Sequence, residues 1–276
     1  MELGEYNSLT LLRFTSVGAY LGDEEDNDVL LPNKYLTEEM LVGEKVNVFL
    51  YKDSEDRIVA TTETPKIKLR EMKYLTVKEV NGYGAFLDWG LEKDLMVPFK
   101  EQTQRMDEGK SYLVGLRFDF STDRLYATMK INPMLSKCLE KDIEGQMVDV
   151  LVCEPTDLGV KVIVNQKYHG LIFHNLIIKP INPGDEIKAY VHKLREDGKL
   201  DIRLTKEGYE KVIDSESTLL DYLTLHQEIM LTDKSSPEDI RELIGMSKKT
   251  FKQAVGKLYK ERKVTLLEDR IALITS

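Results

Sequence analysis

The residues of this chain that could do chemistry fall into two kinds, and the covalent kind has little to offer. Asp23-Glu24-Glu25-Asp26-Asn27-Asp28 has the carboxylate density of a calcium loop, but its sixth position is not glycine and its twelfth is Lys34, where a bidentate acid is required. The four histidines, His169, His174, His192 and His226, show no HxxxH or partner spacing for a metal. Cys138 and Cys153 are too few for a disulfide framework and lack CxxC spacing, so they read as inert thiols. Gly82-Tyr83-Gly84 lacks the third glycine and the following helix of a dinucleotide site. No Walker lysine, GxSxG serine or Cys-His pairing supplies a nucleophile. No catalysis, cofactor or metal is expected.

The second kind is non-covalent: rings that can stack and cations that can pair. Asn81-Gly82-Tyr83-Gly84-Ala85-Phe86 sets two aromatics beside glycines in one strand-like run. Lys73 and Tyr74 precede it, and Lys93 and Lys100 follow. Near the C-terminus, Lys248, Lys249, Lys252, Gln253 and Lys260 recur at helical spacing, and from Lys248 to Lys263 seven bases stand against Glu261 alone. Exposed rings stack on nucleic-acid bases at about 1–3 kcal/mol per base, and basic side chains follow the phosphates.

The elements that must position these residues show up as an internal repeat. Three blocks each begin a strand with a glycine, at Gly18-Ala19-Tyr20-Leu21, Gly84-Ala85-Phe86-Leu87 and Gly159-Val160-Lys161-Val162. Fourteen residues beyond each glycine stands Pro32, Pro98 or Phe173, and twenty-five beyond stands Gly43, Gly109 or Gly184. Forty or forty-one beyond, a last strand begins at Ile58, Leu125 or Leu200. Short alternating runs such as Val46-Asn47-Val48-Phe49-Leu50, separated by glycine and acidic turns, predict a five-stranded OB-type barrel for each block.

After Lys206 the period becomes helical. Leu219, Leu220, Tyr222 and Leu223 share one face of a first helix. Ser236-Pro237-Glu238-Asp239 reads as an N-cap, a proline at the first helical position and acids in the first turn, opening a second helix that stops at Gly245. Ser247 caps a third, running to about Lys260. Its wheel places Phe251, Ala254, Val255 and Leu258 opposite the lysines, and Gly256 lies amid the basic face, open to a phosphate backbone or to a neighbouring barrel. Val264 to Leu267 and Ile271 to Ile274 then form a hairpin wing, which completes a winged helix. The fold class is therefore multidomain and mainly β: three tandem barrels over 1–65, 66–140 and 141–206, and a small α+β winged helix over 207–276.

The net charge of −9 is unevenly held. Residues 1–65 contain 14 acids and 5 bases, which is −9 by themselves, and the rest of the chain sums to zero. A uniformly acidic surface would repel nucleic acid; this distribution confines the repulsion to the first block. The N-terminus lacks a basic leader and no run is long and apolar enough to span a bilayer, so a cytoplasmic location without membrane contact is expected.

At the repeat landmarks the chain resembles the S1 RNA-binding family, and block two, with Asn81 to Phe86 and Arg124-Leu125-Tyr126-Ala127-Thr128, carries the resemblance best. That resemblance implies stacking by Tyr83 and Phe86 and a phosphate contact by Arg124, extended by Lys73, Tyr74, Lys93 and Lys100. Block one keeps Tyr20 and Arg57 but has Val17 in place of the first aromatic. Block three has Leu158 and Lys161 there, which leaves Lys161, Phe173 and Arg203 as weaker contacts. Pro32 and Pro98 stand where the family has histidine, while Phe173 takes that place in block three with His174 shifted by one. Together with the C-terminal segment, including Leu231 to Glu238 and Gly245-Met246-Ser247-Lys248-Lys249, the chain resembles the bacterial conserved virulence factor B family of RNA-binding regulators.

That resemblance implies a non-catalytic regulator of gene expression that binds single-stranded RNA. The residues alone leave two other readings open. One is a transcription factor whose Lys248, Lys249, Lys252 and Gln253 enter a DNA groove. The other is a protein scaffold whose acidic first barrel meets a basic protein partner. Barrel packing is the alternative for Tyr83, Phe86 and above all Trp89, and a solvated face is the alternative for the third helix.

Overall fold

In a computed structural model that describes residues 1–177, 180–205 and 213–274, the repeat offsets are strand register. The first block forms β1 (Tyr6–Phe14), β2 (Gly18–Gly22), β3 (Asp28–Pro32), β4 (Lys45–Lys52) and β5 (Ile58–Thr61), a closed barrel in the order β1-β2-β3-β5-β4. The second forms β6 (Met72–Val80), β7 (Gly84–Asp88), β8 (Leu95–Pro98), β9 (Ser111–Asp119) and β10 (Arg124–Thr128). Its order is equivalent, with β8 beside β10 but no ladder joining them among the described residues. The third, β11 (Met147–Thr156), β12 (Gly159–Val164), β13 (Tyr168–Phe173), β14 (Glu186–Leu194) and β15 (Leu200–Arg203), closes as the first does.

The fourteen-residue offset is a cross-strand pair: Gly18 faces Pro32, Gly84 faces Pro98 and Gly159 faces Phe173. A Cβ at these glycines would lie 2.1, 2.3 and 2.1 Å from the carbonyl oxygens of Leu31, Val97 and Ile172, so only glycine lets the strands approach this closely. The twenty-five-residue offset closes a second recurrent contact. The amides of Gly43, Gly109 and Gly184 donate to the carbonyls of Leu11, Val77 and Val152, each at the start of a bulge in the barrel's first strand.

Met1–Ile202 pack as one unit and Arg203–Ser276 as another. What fuses the barrels is legible in the strands that lose their alternation. In β4, Val48 and Leu50 point into the first core, yet Phe49 and Tyr51, which alternate with them, are also buried. They stack edge-on against Trp89 of the second barrel, at ring centroid distances of 5.9 and 6.2 Å. In β11, Leu151 and Cys153 are buried against Met72 in the same way, which joins the third barrel to the second. Burial pushes the Cys153 thiol up to about 12, which keeps it protonated and inert.

The C-terminal unit contains α1 (Ile213–His226), β16 (Glu228–Ile229), α2 (Pro237–Ile244), α3 (Lys248–Lys260), β17 (Val264–Leu266) and β18 (Ile271–Leu273). Ser236 and Asp239 form a full capping box, Gly245 ends α2 at φ 71°, and the Ser247 side chain accepts from the Thr250 amide. Phe251, Ala254, Val255 and Leu258 are buried as their spacing predicts, packed with Leu219, Leu223, Ile240 and Ile271. The two-residue β16 was not expected; it pairs with β18 and makes the wing a three-stranded sheet. The boundary expected at 206/207 lies outside the described residues. Among the described residues no helix is long and apolar enough to cross a membrane.

Candidate nucleic-acid interface

On an OB barrel a single strand runs across the outer face of strands two and three. In the second barrel these are β7 and β8. Ala85 and Leu87 point into the core, so Phe86 between them points out, half-buried beside its cross-strand partner Met96. Tyr83 stands in the tight loop before β7, 77% exposed, its amide donating to Asn81 Oδ1 at 3.0 Å. Phe86, Met96, Lys93 and Arg124 line one groove of about 520 Å³. Lys100 lies in the turn after β8 and is exposed.

The groove has a second wall that the sequence did not disclose. The β4–β5 hairpin of the first barrel contributes Tyr51, Lys52, Ser54 and Asp56 to it. Asp56 pairs with both Arg124 and Lys93, the latter at 3.3 Å, and Lys93 Nζ also donates to the Asp53 carbonyl at 2.7 Å. Hydrogen bonding from Arg124, and then from Lys93, holds the Asp56 carboxyl below its ordinary value. Trp89 is buried at the base of this seam, its indole Nε1 donating to the Lys93 carbonyl at 2.6 Å, so it serves packing between the barrels.

Lys73 and Tyr74 do not extend the groove. Both lie on β6 and turn toward the third barrel, Lys73 pairing with Glu186 at 3.0 Å and the Tyr74 hydroxyl donating to the Cys153 carbonyl at 2.9 Å. Burial raises the Tyr74 phenol to about 12, consistent with a packed ring.

On the third barrel, Lys161 faces outward from β12 and pairs with Glu154 at 2.6 Å. Phe173 ends β13, half-buried. Lys161 lines a cleft of about 700 Å³ between the second and third barrels, together with Tyr112, Gln104, Asn132, His169 and Lys199. Burial first, and then the charge of Lys199, lowers the His169 pKa and favours a neutral imidazole. Sequence reasoning passed over Lys199, although a signal existed: it precedes Leu200 as Arg124 precedes Leu125. Arg203, at the far end of β15, is buried instead.

In the winged helix, α3 exposes Lys249, Lys252, Gln253 and Lys260 along one face, and around Gly256 there is open space. Lys248 is half-buried and donates from Nζ to the Ser235 carbonyl at 2.8 Å, so it braces the turn before α2. Lys252 lies 3.9 Å from Asp233. Lys249 and Lys260 have no ion pair among the described residues. The wing tip, Leu267-Glu268-Asp269, is acidic and apolar, and Arg270 beside it is held by Asp269 and Glu228.

The comparisons with known proteins fit this architecture. Residues 3–63 match the S1 domain family and residues 217–273 match the CvfB-like winged helix domain. The S1 match thus falls on the first barrel, not on the second, whose surface rings carried the motif resemblance; the glycine register and inward apolar positions that all three share are enough to identify a barrel. The chain is 28% identical to the uncharacterized protein YitL of Bacillus subtilis, over 96% of this chain and 91% of that one. It is 26% identical to conserved virulence factor B of Staphylococcus saprophyticus, over 86% and 82%. A multidomain protein with nucleic acid binding domains from Streptococcus pneumoniae aligns over 99% of this chain and 98% of its own at 22% identity, with a TM-score of 0.45. Over most of its length the chain is similar to the conserved virulence factor B proteins, and the S1 match on the first barrel and the CvfB-like match on the winged helix support a nucleic-acid-binding role.

Proposed function

We propose that the chain is a non-catalytic cytoplasmic regulator of gene expression that binds single-stranded RNA, on the second barrel above all, with α3 of the winged helix adding phosphate contacts. In this reading the functional partition is 1–65, 66–140, 141–206 and 207–276. The observation that carries the proposal is an outward Phe86 on β7 that shares one groove with the cations Lys93 and Arg124, together with an exposed Tyr83 in the loop that opens the same strand. Rings at that spacing stack on unpaired bases, and a duplex keeps its bases stacked inside. The acidic, apolar wing tip supports single strands further, because it offers no free cation to a second groove of a duplex.

The test is a titration of the full chain, and of Tyr83→Ala with Phe86→Ala, against an unstructured RNA, the matching single-stranded DNA and duplex DNA. Preference for the RNA, lost in the double variant while circular dichroism is unchanged, is the expected result. Tight duplex binding that the double variant retains would move the function to α3 and to a DNA-binding transcription factor. A protein complex that survives nuclease treatment and depends on the acidic first barrel would favour the scaffold reading.

A further inference from the structure

The β4–β5 hairpin of the first barrel places a carboxylate where a nucleic-acid phosphate would sit on the second. Asp56 stands in the turn Asp53-Ser54-Glu55-Asp56-Arg57 with φ 62°, a left-handed conformation, and its side chain reaches the second barrel. The turn is firmly built. Asp53 Oδ1 accepts from the Glu55 and Arg57 amides at 2.9 and 3.0 Å, and its Oδ2 accepts from the Arg57 guanidinium. One Asp56 oxygen meets Arg124 and the other meets Lys93 Nζ. Both cations line the groove that holds Phe86 and Met96, whose third cation, Lys52, pairs with Asp123 instead. A carboxylate and a phosphodiester present the same charge and the same pair of acceptor oxygens to a guanidinium and an ammonium.

We propose that Lys93 and Arg124 form a phosphodiester subsite of the second barrel and that Asp56 of the first barrel occupies it as an intramolecular stand-in, so that an RNA strand must displace the hairpin tip to bind fully. The inference rests on the reading of β7 and β8 as an RNA face and adds to it a competitor built into the chain. The contact suits displacement. The Arg124 side chain is 59% exposed and that of Asp56 39%, so solvent screens the pair and its strength is modest. The body of the seam stays closed by buried Phe49, Tyr51 and Trp89, so exchanging the tip does not require the barrels to separate. The device also gives a local role to some of the acidic charge concentrated in residues 1–65: it screens weak polyanions from the groove and admits those that can also stack.

The experiment is fluorescence anisotropy on the full chain with a labelled unstructured RNA, comparing the wild type with Asp56→Asn and Asp56→Gly. Both replacements tolerate the left-handed turn, one keeping the side-chain shape without the charge and the other removing the side chain. Asp28→Asn, at the start of β3 in the same barrel, removes one charge, that of the carboxylate paired with Arg13, without touching the groove. Each Asp56 variant is expected to tighten RNA binding by about two- to fivefold, the worth of one exposed ion pair. Asp28→Asn should leave affinity near the wild type, and the gain should vanish when Lys93→Ala and Arg124→Ala are added.

Weaker or unchanged binding by both Asp56 variants would overturn the stand-in, as would equal tightening by Asp28→Asn. So would a gain that persists without Lys93 and Arg124. If Tyr83→Ala with Phe86→Ala still costs affinity in those cases, the RNA face survives and only the competitor is lost. If it costs nothing, both fall together.

Discussion

The second barrel and helix α3 carry the two basic surfaces nominated for nucleic acid, and they hold their cations differently. On the barrel nearly every base near the face is already paired: Lys93 and Arg124 with Asp56, Lys66 with Asp88, Lys78 with Asp94. On α3, Lys249 and Lys260 have no ion pair among the described residues, and Lys252 has only a distant one. A strand that binds the barrel must exchange internal pairs for external ones, and its net gain comes from rings. A strand that binds α3 neutralises free cations, and its gain comes from released counterions. In the proposed reading the barrel offers rings with muted charge, and α3 offers free lysines beside one exposed ring, Tyr259.

The comparison breaks most visibly on the rings. Tyr83→Ala with Phe86→Ala is expected to weaken RNA binding by about 1–3 kcal/mol for each lost stack. The effect should be largely independent of salt, measured by anisotropy at two ionic strengths. A loss that disappears at high salt would mean that the barrel works by charge after all.

Next in size is Gly84→Ala. A Cβ there lies 2.3 Å from the Val97 carbonyl oxygen and must push β7 from β8, at a cost of about 1–3 kcal/mol as overpacking. A lower melting temperature with loss of the stacking contribution, and retention of the salt-dependent part, would separate the two surfaces. On α3, the set Lys249→Ala, Lys252→Ala and Lys260→Ala should flatten the dependence of log affinity on log salt by about 0.7 for each phosphate contact removed. Its effect should be nearly the same for every RNA sequence.

The smallest expected effect is on pH. Asp56 has its carboxyl held below the ordinary 3.8, first by Arg124 and then by Lys93. A depressed folded-state value means that the stabilisation is present above pH 3.8 and is lost as pH falls through the depressed value. Trp89, the single tryptophan, is buried at this same seam and reports on it. Its emission should differ between wild type and Asp56→Asn above pH 3.8, and the two should converge in acid.

The barrels were readable from residues alone because their landmarks are local. Gly18, Gly84 and Gly159 and their partners fourteen residues on record one hairpin register, and a register is enforced wherever a Cβ would strike a carbonyl. The winged helix was readable for the same reason: Ser236, Asp239, Gly245 and Ser247 act within a turn of their own positions. What spacing did not foretell has an opposite cause. Lys73 and Tyr74 have the right types and the right proximity in sequence, yet β6 turns them toward the third barrel. Lys248 belongs by spacing to the basic face of α3, but a carbonyl thirteen residues earlier holds it.

What the sequence by itself determined, then, was the barrel strands, the three helices and the hairpin wing, their cores, and which residue types could stack or pair. Periodicity, caps and glycine register are short-range properties that each segment carries within it. Only the tertiary structure decided which of those residues share a surface. The unbroken burial of Phe49 to Tyr51 appears only in the folded chain, and nothing before folding says that Asp56 meets Arg124, a residue 68 positions away. Ion pairs between separate barrels depend on how two curved surfaces dock, and exposed charges have no periodic pattern to announce their partners.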